Sequence, residues 1–68
     1  MSNSTRNKII EATIELVNER GYKGATTREI AKRAGVNEVT LFRHFGSKKG
    51  IVEAVIKEYE FVDLIENT

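Results

Sequence analysis

The side chains able to do chemistry in this 68-residue chain gather between Thr26 and Lys49. Thr26 and Glu29 set a hydroxyl three residues ahead of a carboxylate; Arg28, Lys32, Arg33, Arg43, Lys48 and Lys49 bring positive charge; His44 is the only histidine. A hydroxyl and a carboxylate at that spacing make a helix capping box, not a catalytic pair. A lone histidine, with no cysteine and no clustered carboxylates at ligand spacing, gives no metal site. No nucleophile–base arrangement and no phosphate-cradling glycine loop accompany them. An enzyme is not expected, and neither is a cofactor.

What the cluster suits is a polyanion. Residues 22–50 carry seven basic side chains against Glu29 and Glu38, a net +5, whereas residues 51–68 carry Lys57 against five acidic ones, a net −4. Residues 1–21 balance, so the overall +1 hides a strong polarity. A localised positive field is what phosphate binding requires, although small helical domains also segregate charge without consequence. The chain has no cysteine to staple it, no apolar run of membrane-spanning length, and a polar start, MSNSTRNK, without a signal core. A cytoplasmic protein is the expectation, with no membrane partner.

The elements that must position these residues read as helices throughout, with residues 1–5 as a disordered polar tail. From Arg6 to Arg20, Ile10, Thr13, Ile14 and Val17 follow the three-and-four spacing of one helix face. Gly21 stops that helix, and Tyr22 folds back over the core. Thr26 caps a second helix with Ile30, Ala31 and Ala34 inward; Gly35 ends it. Asn37 caps a third, Glu38 to His44, held down by Leu41 and Phe45. Gly46 ends that one and Ser47 caps a fourth, running from Lys48 to near Ile65. Its apolar lines, Ile51, Val55, Tyr59 and Val62, with Val52 and Ile56 beside them, exceed what a small domain needs, and Phe61, Leu64 and Ile65 add more.

Three positions make the middle of the chain a helix-turn-helix. A small residue is needed where two helices cross (Ala31), a turn residue tolerant of positive φ four places later (Gly35), and an apolar anchor six beyond that (Leu41). Lys48 adds an ammonium to the positive end of a helix dipole, a combination suited to phosphate. A solvated helix start is the plainer reading of Lys48 and Lys49.

Beyond these spacings, IIEATIELVNERGY, TTREIAKRAGVNEVTLFRHF and GSKKGI together resemble the N-terminal DNA-binding domain of the TetR (tetracycline repressor) family of bacterial transcriptional regulators. The resemblance spans Lys8 to about Val55. It implies a homeodomain-like three-helix head plus a longer fourth helix, with residues 6–55 as the head and 56–68 as the link to a ligand-binding and dimerisation domain absent from these residues. It implies a repressor that binds a palindromic double-stranded operator as a homodimer, and a small-molecule effector acting through the absent domain.

By position, Thr27 and Arg28 would meet phosphate and an adjacent base. Asn37, Glu38, Val39 and Thr40 would face base edges, with Val39 and Thr40 toward a thymine methyl and Glu38 toward a cytosine amino group. Arg43, His44, Lys48 and Lys49 would lie near phosphates. Phe42 stands where the family usually has tyrosine, losing a phosphate hydrogen bond, and either packs or joins the DNA face. Glu38 admits a second reading, as an acidic residue at a helix N-terminus. Gly50 replaces a commoner alanine, at about 0.5–1 kcal/mol of helix stability. The competing class is a helix-turn-helix used for protein contacts, docking through Phe61, Leu64 and Ile65.

Overall fold

Four helices, α1 (Ser2–Gly24), α2 (Thr27–Ala34), α3 (Glu38–Phe45) and α4 (Lys48–Glu66), make up the computed structural model. It describes the backbone of residues 2–66 and the side-chain surroundings of residues 5–58. No strand occurs among the described residues, and the fold is all-α as the spacing indicates. The apolar Tyr59, Phe61, Val62, Leu64 and Ile65 of α4 lie outside the residues whose side chains are described.

α1 begins at Ser2 rather than Arg6; no glycine or proline interrupts residues 2–20 to break its hydrogen-bond ladder. Gly21, at φ 77° and ψ 174°, ends the continuous helix as its type indicates, and a separate short turn follows across the kink to Gly24. Only a residue lacking a Cβ takes that backbone shape readily. The buried face of α1 is also wider than a single stripe. Ile9, Ala12 and Leu16 are fully enclosed beside Ile10 and Thr13, while Ile14 and Val17 are only half-buried. The cause is that α1 packs against both α2 and α4, which moves the centre of burial to Leu16. Thr13, 2% exposed, satisfies its hydroxyl by donating to the Ile9 carbonyl at 2.8 Å.

The short helices are defined by their ends. Thr26 accepts from the Glu29 amide at 3.2 Å, opening α2. The return half of the capping box is not made: the Glu29 carboxylate lies 3.6 Å from Arg20 instead. Gly35 closes α2 in the left-handed region, φ 76° and ψ 27°, and Val36 N–H donates back to the Ala31 carbonyl at 3.0 Å. Asn37 Oδ1 accepts from the Thr40 amide at 2.8 Å, opening α3, which runs one residue past His44 to Phe45. Ser47 Oγ accepts from the Gly50 amide at 3.1 Å, opening α4.

Ile9, Leu16, Ile30, Leu41 and Ile51 are the large side chains shut off from solvent, at least one from each helix. Each contributes roughly 1.5–3 kcal/mol of burial. Ala31, 2% exposed, lets α2 approach its neighbours closely, and Val17, Ala34, Val36 and Phe45 pack around the edge. Phe45, read from the sequence as core, is only half-buried.

Candidate nucleic-acid interface

The surface in question is built outward from Leu41. That side chain is fully buried on α3, so residues on the opposite side of an eight-residue helix must face water. Val39, Phe42 and Arg43 sit at i, i+3 and i+4, one helical face. Val39 is 60% exposed and Phe42 41%, which resolves Phe42 as a surface residue rather than a packed one. Asn37, Glu38, Arg43, His44 and Lys49 are exposed; Thr40 and Lys48 are half-buried. On α2, Arg28 is exposed and Thr27 half-buried.

Two of these residues are already bonded to each other. Thr27 Oγ1 donates to Glu38 Oε2 at 3.1 Å, tying the start of α2 to the start of α3. Glu38 thus acts within the protein as a tether, which neither sequence reading of it included. A carboxylate keeps further acceptor sites after one such bond.

Lys48 is also engaged. Its Nζ donates to the Tyr22 backbone carbonyl and lies 4.1 Å from the Tyr22 ring centroid. Tyr22 does not fold over the core: it is 51% exposed and walls a groove of about 330 Å³ with Thr13, Ile14, Val17, Asn18, Val52 and Val55. No local pattern signals this pair, because the partners are 26 residues apart.

Charge is sorted by helix. Arg33 makes a two-pronged bond to Glu19 at 2.6 and 3.1 Å and approaches Glu15 at 3.6 Å; Arg20 meets Glu29, and Arg6 meets Glu58 at 3.0 Å. The Arg33 hydrogen bond, reinforced by the charges of Arg33 and Arg20, holds the Glu19 carboxyl below its usual range. The same bond raises Arg33. Among the described residues, Arg28, Arg43, Lys48 and Lys49 enter no salt bridge. Arg33, one of the seven cations of residues 22–50, is therefore neutralised against α1, while the other six, Lys23, Arg28, Lys32, Arg43, Lys48 and Lys49, enter no salt bridge among the described residues. His44 stands 6.2 Å from the Phe45 ring, and Arg6 lies 5.7 Å above that ring from the other helix. No group of side chains suited to a metal ion occurs among the described residues, and no described helix is long and apolar enough to cross a membrane.

The family model described as "Bacterial regulatory proteins, tetR family" matches residues 9–55. The chain is 42% identical over 55 residues to YvkB of Bacillus subtilis, an uncharacterised helix-turn-helix transcriptional regulator, covering 81% of this chain and 29% of that protein. It is 36% identical over 58 residues to the class D tetracycline repressor of Escherichia coli, covering 85% and 27%. It is 42% identical over 52 residues to IcaR of Staphylococcus aureus, a negative transcriptional regulator of the biofilm operon icaADBC, covering 76% and 28%. The chain thus spans less than a third of the length of these curated relatives. No solved structure matches. On the extent of the family match and the identity to its members, this chain belongs to the tetR family of bacterial regulatory proteins.

Proposed function

We propose that these residues form the DNA-reading head of a bacterial transcriptional repressor, with α3 in the major groove of a palindromic operator. The observation that carries the reading is the sorting of charge: the arginines on or against α1, Arg6, Arg20 and Arg33, are ion-paired, whereas Arg28, Arg43, Lys48 and Lys49 enter no salt bridge among the described residues around an outward α3 face. Val39 and Thr40 supply apolar contact to a thymine methyl, and Asn37 and Glu38 hydrogen-bond to base edges. Arg28, Arg43, His44, Lys48 and Lys49 grip phosphates and fix register, while Thr27, its hydroxyl proton given to Glu38, offers a phosphate its backbone N–H at the start of α2. Phe42 contributes its ring to the DNA face and no hydrogen bond.

In the whole protein the head pairs with a second copy through a separate domain. Repression is steric, and an effector bound in that domain spreads the heads. Alone, the head occupies one half-site weakly, because the avidity of the dimer is missing. Its place of action is the cytoplasm.

The test is selection from a random duplex pool, followed by fluorescence anisotropy on the enriched sequence at several salt concentrations. Enrichment of one half-site, with affinity falling steeply as salt rises, supports the reading. Recovery of no sequence, or binding indifferent to salt, would overturn it.

A further inference from the structure

We infer that Tyr22 is a positioning residue for Lys48, holding the ammonium in place for a DNA phosphate; the inference rests on the DNA-reading proposal. The two residues come from different helices, 26 positions apart in sequence. Tyr22 follows the glycine whose φ of 77° redirects the end of α1, and Lys48 is the first residue of α4. Tyr22 holds the ammonium by two different groups: its backbone carbonyl accepts a hydrogen bond, and its ring centroid lies 4.1 Å from Nζ.

The division matters because the carbonyl survives any substitution at Tyr22, whereas the ring does not. A free lysine side chain samples many rotamers and loses that freedom when it clamps a phosphate. Tyr22 restricts it beforehand. An ammonium has three N–H groups, so one bond to the carbonyl leaves two for phosphate oxygens. The interaction needs the ring's π-face and not the phenol oxygen, so phenylalanine should serve equally well. The 51% exposure of Tyr22 is then a requirement of this role and not a packing defect.

Phosphate contact is independent of sequence, so the experiment needs no known operator. Anisotropy with a random-sequence duplex of about 20 base pairs, titrated over salt, would compare the full chain with Lys48→Met, Tyr22→Leu, Tyr22→Phe and the Lys48→Met/Tyr22→Leu pair. Lys48→Met should lower the salt slope by about 0.9, the value of one phosphate. Tyr22→Leu should weaken binding about two- to fivefold, Tyr22→Phe should restore it, and Tyr22→Leu should have no effect once Lys48 is methionine. An unchanged Tyr22→Leu, or the same loss in both backgrounds, overturns the positioning role while leaving DNA reading intact. Absence of salt-dependent binding by the unaltered chain overturns both. An upfield ring-current shift of the Lys48 ε-methylene protons in the unaltered free chain supports the pairing. Their resonance at the unstructured position overturns it, and that reading holds even if Tyr22→Leu fails to fold.

Discussion

Gly50, three residues into α4, has its backbone so near the end of α3 that an added Cβ would lie 2.0 Å from the Phe45 carbonyl oxygen. Helix propensity alone argues that alanine there would gain about 0.5–1 kcal/mol. The close approach reverses the sign. Gly50→Ala should destabilise by about 1–3 kcal/mol, the range for overpacking, seen as a lower urea midpoint; a higher midpoint would mean that α4's first turn yields freely. Leu41 is the opposite case, a side chain whose removal leaves space. Leu41→Ala should cost about 2–5 kcal/mol, measurable by thermal unfolding, and most of the fold with it in so small a domain. Val39, one position removed from the tether at Glu38 and 60% exposed, should do neither. Its replacement by alanine should stay within about 0.5 kcal/mol of the parent while relaxing base preference at one operator position.

α3 depends on its cap. Asn37→Ala removes the acceptor for the Thr40 amide and should cost about 0.5–2 kcal/mol. Asn37→Asp keeps an acceptor, so its melting temperature should match the parent, yet it adds negative charge to the proposed DNA face and should weaken duplex binding. The joint between α1 and α2 responds to acid instead. Glu19 titrates below its usual range because Arg33 hydrogen-bonds its carboxylate. Its contribution is complete above the unfolded carboxylate range and is lost as pH falls through the lower folded value. Urea midpoints of the parent should therefore converge on those of Glu19→Gln as acid is added below the ordinary carboxylate range. Arg33, raised in turn, stays charged throughout that window. Much of this element layout could be read locally. Thr26, Asn37 and Ser47 as caps and Gly35 and Gly46 as ends follow from contacts within a few residues, and Leu41 as anchor from its spacing to Ala31 and Gly35. What escaped was set by helix crossings: the Thr27–Glu38 tether, the Arg33–Glu19 clamp and the Lys48–Tyr22 pair join residues 11, 14 and 26 apart. The Gly50 approach to Phe45 escaped too, because it depends on the angle between α3 and α4. For the candidate site, the sequence located the exposed α3 face, but it could not tell which cations had partners.

At the scale of the whole molecule, the relevant quantity is how the positive charge is distributed over the fold, not its total. Restoring Arg33 to the unpaired set through Glu15→Gln and Glu19→Gln together should raise affinity for random duplex DNA at low salt. That gain should vanish as salt screens it, and anisotropy at two salt concentrations would show both. Its absence at low salt would mean that the α1–α2 side is too remote from the duplex to be felt. The lengths of α2 and α3, eight residues each, set a further condition. Helices shorter than about 12–15 residues are marginal on their own in water, so α3 is maintained by its neighbours through Leu41 and not by its own ladder. The reading surface and the hydrophobic core are one cooperative object. A synthetic peptide of residues 37–46 would be an unstructured strand of side chains, unable to imitate the head or compete with it. In hydrogen exchange, the interior amides of α3 should open with the whole domain, so its recognition is either fully present or absent.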